Sequence, residues 1–282
     1  MIKLLVTDLD DTLYSWIGFF IPAFYGMLEE LSTILNVPKD ILLHEYQRVH
    51  QEKGSVEYPF STLFLPSVKA AYPTKTKEEI LSILNPAFHK FNSVRKEKLQ
   101  LYPGVREVLK KLIEMQISIV GYTDSAEENG FYRLKKLNID CYFKHVYVAD
   151  SQFKRPSNFS LEKTQTVPGK KPNPAILQKI CKREGIAINE TLYLGDSLTK
   201  DTYMAKQAGA VSVLCKYSYD EKMQKELYAK LVAISHWKKS DFEREQMLKK
   251  LCQADGIQPD YTIQCFEEIL TIIQTLNKEA KS

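Results

Sequence analysis

The chain has few of the features that mark a secreted, membrane-bound or nucleic-acid-binding protein. Its five cysteines (Cys141, Cys181, Cys215, Cys252 and Cys265) are scattered and form no CxxC pair. That argues against a zinc site or a disulfide framework and for a reducing compartment. No stretch is long and apolar enough to span a bilayer. The N-terminal apolar run is short and leads straight into an acidic motif, so no signal peptide is expected. These absences point to a cytoplasmic protein. The charge is balanced, with 39 basic and 35 acidic residues giving a net +4, which argues against nucleic acid or an anionic membrane as partner. There is no internal repeat and no low-complexity tract.

What is present is an ordinary globular composition: 282 residues, 44% hydrophobic and 26% charged. That length allows one large domain, or a core domain with a smaller one inserted.

The most informative stretch is Leu4-Leu5-Val6-Thr7-Asp8-Leu9-Asp10-Asp11-Thr12-Leu13. An apolar, β-branched run reads as a strand buried on both faces. It breaks into carboxylates just beyond the strand's carboxyl end, where open parallel sheets bind ligands. Asp8 and Asp10, two residues apart, can converge on one point, and a divalent cation would relieve their repulsion. Oxygen-only ligands suit Mg²⁺.

Residues 16–100 show helical periodicity and no strand signal. Phe24, Leu28, Leu31 and Leu35 share one helix face, and Thr76-Lys77-Glu78-Glu79 has the pattern of a capping box. This block is expected to be a small helical domain inserted after the first strand. Beyond it, four more buried strands are expected at 117–122, 146–149, 191–194 and 211–214, with a shorter one at 260–263. Helices separate them, which implies right-handed crossovers and an α/β fold with a parallel sheet. Residues 151–170 read as a polar loop, and 217–253 as charge-rich helix with a solvated face.

The ends of these elements carry Asp8, Asp10 and Thr12, then Thr123, then Lys171 at a helix start, then Asp196 and Asp201. In a parallel sheet the strand ends share one edge, so these residues can meet. The set has carboxylates, hydroxyls and one lysine but no histidine or cysteine. With backbone N–H groups at helix starts, it suits a metal-assisted phosphate site.

In this order, DxDxT, the threonine after the second strand, Lys-Pro-x-Pro (Lys171–Pro174) and GDxxxxD (Gly195–Asp201) resemble the four motifs of the haloacid dehalogenase-like (HAD) superfamily. The resemblance runs from Ile2 to about Leu276. It implies a Rossmann-like three-layer core of residues 1–15 and 101–282 and an all-helical C1-type cap of residues 16–100, which would set specificity. Asp8 would be the nucleophile that forms an aspartyl-phosphate. Asp10 would be the general acid, then the base that activates water. Asp8, the backbone carbonyl of Asp10, and Asp196 would hold Mg²⁺. Thr12 would support Asp10 and the loop, Thr123 would hydrogen-bond a phosphate oxygen, and Lys171 would neutralise the nucleophile and the phosphoryl group. Asp201 would orient Lys171 or a metal-bound water. Asp124 stands where that family often has asparagine, beside the phosphate, and its extra charge suggests a side chain turned away.

The implied activity is a Mg²⁺-dependent phosphatase acting on a small phosphorylated metabolite, such as a nucleotide or sugar phosphate. Asp10 favours phosphoryl transfer over dehalogenation, because an alkoxide leaving group needs a proton and a halide does not. The rival readings are a phosphomutase on the same core and a binding protein that does not turn over. A phosphonate hydrolase would need a reactive cap lysine, and nothing singles out Lys53, Lys69 or Lys90.

Overall fold

The computed structural model describes residues 1–53, 57, 59–150, 163–217, 221–234 and 239–280. Two compact units divide the chain: residues 1–15, 100–219 and 244–282 form the first, and residues 16–99 and 220–243 the second.

The first unit is built on a sheet of seven strands. They are β1 (Leu4–Thr7), β2 (Ser118–Ala126), β3 (His145–Ala149), β4 (Thr164–Val167), β5 (Thr191–Gly195), β6 (Val211–Cys215) and β7 (Tyr261–Ile263). The order across the sheet is β4-β3-β2-β1-β5-β6-β7, and every pairing is parallel. The parallel α/β architecture read from the sequence is therefore present. Leu4, Leu5 and Val6 of β1 have no exposed surface, because a central parallel strand is covered on both faces.

The direction of travel across this sheet fixes where ligands bind. From β1 the chain steps one way to β2, β3 and β4. It then jumps back across β1 to β5 and continues outward to β6 and β7. Right-handed crossovers put the connecting helices of the two halves on opposite faces. One side takes the helices Val105–Glu114 and Glu127–Lys136. The other takes Pro174–Glu184 and Tyr203–Ala208, which pack on Leu4, Val6, Tyr122 and Tyr193. The halves part between β1 and β5, and the crevice beyond their carboxyl ends is the topological switch point.

One expectation needs correction. The loop read at 151–170 contains a strand, β4, paired in register with β3 from Val146 opposite Thr164 to Ala149 opposite Val167. Residues 151–162 lie outside the described residues. The sequence Thr-Gln-Thr-Val hides this strand because it is an edge strand, none of whose residues is fully buried. An edge strand has no second neighbour demanding an apolar run.

Among the described residues, the second unit is built of helices and contains no strand. Its helices are α1 (Trp16–Leu35), α2 (Lys39–Lys53), α3 (Pro66–Ala71), α4 (Lys77–Lys98) and a later segment, Glu221–Ile234. Aromatic packing joins α1 to α2, with the Phe24 and Tyr46 rings 4.8 Å apart. Trp16 stacks on Phe20 within α1 at 5.0 Å. The capping box opens α4: Thr76 Oγ1 accepts the Glu79 N–H at 3.2 Å, and Glu79 Oε2 accepts the Thr76 N–H at 2.7 Å. The sequence reading left residues 220–243 with the core, but they group with this unit. Gln47 Nε2 donates to the Ala233 carbonyl at 2.7 Å, and Tyr25 OH to the Lys230 carbonyl at 3.1 Å. A segment distant in sequence is recruited here by tertiary contacts that its own mixed charge does not announce.

Candidate active site

The site lies at the switch point of the first unit. Asp8 follows β1, and its backbone N–H donates to the Leu194 carbonyl of β5 at 2.8 Å. That bond continues the sheet one residue past the strand and fixes where the Asp8 side chain leaves the backbone. Asp196 follows β5. Asp201 sits in a π-helical turn (Leu198–Thr202) directly after it. The carboxylates of Asp8, Asp196 and Asp201 each place an oxygen within 4.8 Å of the others.

Lys171 enters this cluster from the segment between β4 and the helix Pro174–Glu184. Its Nζ lies 2.9 Å from Asp8 Oδ1 and 2.7 Å from Asp201 Oδ1, and the side chain is 3% exposed. Tyr193 of β5 donates its hydroxyl to Asp201 Oδ1 at 2.9 Å. The backbone N–H of Ser197 donates to Asp201 Oδ2 at 3.1 Å. Asp201 is thus tied down on both oxygens. Gly195 permits this, since a Cβ there would lie 2.4 Å from Asp201 Cγ.

The electrostatics follow from crowding. Burial pushes the Asp8 carboxyl well above its usual range; Lys171 opposes that shift, and Asp201 and Asp196 add to it. Asp196 sits at the open side of the cluster, yet desolvation by the surrounding protein, then Asp201 and Asp11, push it up to about 7. Burial alone would lower the Lys171 ammonium, but Asp201 and Asp8 outweigh it and hold its pKa well above normal. The carboxylates share one ammonium: Lys171 stays charged, and the carboxylates compete for it.

The segments that bring Thr123 and Asp124 are also placed here. Thr123 and Asp124 lie in β2, whose register against β3 shifts between Tyr122 and Ala126. Asp124 Oδ1 accepts the Lys171 backbone N–H at 2.9 Å. Its carboxylate is therefore turned onto the main chain, where it pins the loop that delivers the lysine. Thr123 is buried, and its hydroxyl accepts the Ser125 N–H at 3.0 Å and donates to Asp10 Oδ2 at 3.4 Å. Thr12 is buried; its carbonyl accepts the Tyr217 hydroxyl at 2.5 Å, and its hydroxyl faces Cys215 Sγ at 3.9 Å. Thr12 thus anchors the loop after β1.

Asp10 is held apart from the Asp8 cluster. Its Oδ1 takes a 2.6 Å bond from Arg133 Nη1, and its Oδ2 takes a 2.6 Å bond from the Ser125 hydroxyl. The structure thus assembles Asp8, Lys171, Asp196 and Asp201 around one point, with Asp10 and Thr123 beside it. Sequence reasoning missed Arg133, Ser125 and Tyr193. A faint signal existed for two of them. A tyrosine inside the buried strand Leu192-Tyr193-Leu194 needs a partner for its hydroxyl. Arg133 adjoins the apolar stripe Phe131, Leu134 and Leu137, whereas Lys135 and Lys136 are exposed.

The chain is similar to several known proteins. A glyceraldehyde 3-phosphate phosphatase of Pyrococcus abyssi is 27% identical over 223 residues, covering 77% of this chain and 82% of the relative. A phosphoglycolate phosphatase of Pseudomonas syringae pv. tomato is 31% identical over 120 residues, which span 43% of this chain and 38% of that protein. In fold, the chain resembles the crystal structure of a 2-haloacid dehalogenase from Pseudomonas syringae pv. tomato. The TM-score is 0.61 at 18% identity, over 98% of this chain and 100% of that one. The family model for haloacid dehalogenase-like hydrolases matches residues 2–209, most of the chain, and with the four motifs meeting at one sheet edge it shows that the chain belongs to the haloacid dehalogenase-like hydrolases.

Proposed function

We propose that the chain is a phosphatase that cleaves a small phosphorylated metabolite through an aspartyl-phosphate on Asp8. The observation that carries this reading is the Lys171 ammonium, 2.9 Å from Asp8 and 2.7 Å from Asp201 at the switch point. A carboxylate can attack a phosphate dianion only if positive charge lies between them, and Lys171 supplies it in a buried setting.

Asp8 attacks phosphorus, the P–O bond to the leaving oxygen breaks, and that oxygen keeps the electron pair and takes a proton from Asp10. Asp10, now a carboxylate, takes a proton from water as the water attacks the aspartyl-phosphate. Inorganic phosphate leaves and Asp8 is restored. Asp201 and Tyr193 hold the ammonium in place, and Thr123, which here donates to Asp10, would turn its hydroxyl to a phosphate oxygen. Asp10 distinguishes this reading from dehalogenation, since a halide leaves without a proton.

The donor set fits a hard divalent cation: three carboxylates have oxygens within 4.8 Å of one another, share one ammonium, and include no nitrogen or sulfur ligand. Asp8, Asp196 and the Asp10 backbone carbonyl would hold Mg²⁺, whose positive charge would offset that of the transferring phosphoryl group. The named activities of the relatives direct attention to short phosphorylated carbon chains, with glyceraldehyde 3-phosphate the first to try.

The test is phosphate release from a panel of phosphorylated metabolites, run with Mg²⁺, with EDTA, and with Asp8→Asn. Metal-dependent release that Asp8→Asn reduces by at least 10³-fold is expected. Release that survives in Asp8→Asn, or isomer formation in place of phosphate, would overturn the reading.

A further inference from the structure

Arg133 lies on the helix Glu127–Lys136, which begins where β2 ends. The side chain turns inward and is 5% exposed. Its Nη1 donates to Asp10 Oδ1 at 2.6 Å and to Ser125 Oγ at 3.1 Å. Ser125 Oγ donates in turn to Asp10 Oδ2 at 2.6 Å, and Thr123 Oγ1 to the same oxygen at 3.4 Å. The buried hydroxyl of Tyr14 faces both Asp10 and Arg133. A guanidinium cannot lose its charge in a protein, so burying it commits it to an anion. Here that anion is Asp10.

We infer that Arg133 is a positioning residue for Asp10, fixing the carboxyl group that exchanges protons with the leaving oxygen and with water. The inference rests on the phosphatase reading above and goes one residue deeper. Asp10 is carried by a loop, not by a strand or helix, and the next residue, Asp11, has a left-handed backbone with φ of 55°. A short side chain on such a loop has several rotamers to choose from. The Arg133 Nη1 donor on one oxygen and the two hydroxyls on the other select a single orientation. A group that must reach the leaving oxygen at hydrogen-bond distance tolerates little error, and a misplacement of about 1 Å can cost about 10²-fold in rate. Arg133 donates to Asp10 and to Ser125, so it acts on the group that moves protons rather than on the nucleophile.

The test exploits the leaving group. For 4-nitrophenyl phosphate the leaving phenolate needs no proton; for glyceraldehyde 3-phosphate the leaving alkoxide does. The quantity read is kcat/KM, which covers events only up to departure of the leaving group. Arg133→Met is expected to lower kcat/KM by about 10²-fold on glyceraldehyde 3-phosphate and by less than about five-fold on 4-nitrophenyl phosphate. Arg133→Lys, which keeps the charge but not the fork, should recover at least part of the loss. If Arg133→Met does not fold by circular dichroism, Ser125→Ala, which removes the 2.6 Å bond to Asp10, must show the same selectivity at smaller size. Equal losses on both substrates, or none on either, would overturn the inference while the phosphatase reading stood. If the panel names another alkyl phosphate, that compound takes the place of glyceraldehyde 3-phosphate; wild-type protein that releases phosphate from no compound of the panel would remove the reading itself, and the inference with it.

Discussion

The replacement Lys171→Met tests the electrostatic account of the site directly. Methionine keeps the apolar stem and removes the ammonium, so packing changes little. Two carboxylates, 2.9 Å and 2.7 Å from the lost charge, are left in a site where Asp8 is 11% and Asp201 2% exposed in their side chains. Breaking a buried pair by removing one partner costs about 3–5 kcal/mol. With a urea m-value of about 3 kcal/mol/M, that moves the unfolding midpoint down by about 1–1.7 M. The loss must depend on pH. Asp8 already titrates above its usual range, chiefly through burial. Without Lys171 it rises further, so protonation relieves the stranded charge and the loss at pH 5 is smaller than at pH 8. Circular dichroism during urea titration in EDTA at the two pH values measures both quantities. Adding Asp201→Asn to Lys171→Met should recover about 1 kcal/mol or more, since it removes one of the two stranded charges. A midpoint equal to wild type, or a loss that is the same at both pH values, would refute the claim that charge rather than shape holds this cluster.

Two further outcomes follow from the same geometry. In Gly195→Ala, the added Cβ would lie 2.4–2.5 Å from three Asp201 atoms, so Asp201 must leave Lys171. Steady-state kinetics should show kcat down by at least ten-fold, and urea titration a stability loss of about 1–3 kcal/mol. The second outcome concerns the metal. Folded Asp8 and Asp196 both prefer their protons relative to the unfolded chain, Asp196 up to about 7. Their contribution to stability is therefore full below about pH 4; that of Asp196 is lost as pH rises through about 7, and that of Asp8 as pH rises through its own raised pKa. Melting of the protein in EDTA should shift downward between pH 5 and pH 8, and added Mg²⁺ should raise the melting temperature more at pH 8 than at pH 5.

Much of this arrangement was legible because chemistry and backbone pattern coincided. Leu4–Val6 announced a two-sided strand and Asp8 its end. Thr76 and Glu79, three residues apart, announced a helix start that the structure reproduces atom by atom. What escaped was decided by contacts distant in sequence. Among the described residues the strand Thr164–Val167 pairs on one side only, so polar residues suffice. The segment Glu221–Ile234 joins the helical unit through bonds to Ala233 and Lys230 carbonyls, which any side chain at those positions could offer. Arg133 lies 123 residues from Asp10, and one arginine among several cationic helix residues carries no local mark of its partner. Asp124 shows the middle case. Its charge argued for a side chain turned from the phosphate, and the Lys171 N–H it accepts gives that orientation its reason.

The two buried cations divide the acidic edge between them. Lys171 serves Asp8 and Asp201, and Arg133 serves Asp10. This separation matters because Asp8 and Asp10 are two residues apart in chain and opposite in duty: one must bond to phosphorus while the other moves a proton. A single shared cation would couple the two, and each proton transfer would disturb the nucleophile. Even so, among the described residues six aspartates (8, 10, 11, 124, 196 and 201) stand against Lys171, Arg133 and Arg244, which donates to the Lys171 carbonyl at 3.2 Å. The edge is strongly negative in a chain whose net charge is +4. A phosphate dianion approaching such an edge is repelled before it is bound, whatever the charge of the rest of the molecule, because screening confines that charge to about 8–10 Å. Substrate affinity should therefore depend on the divalent cation as well as the rate. Inorganic phosphate titrated calorimetrically into the protein should bind measurably with Mg²⁺ and not with EDTA.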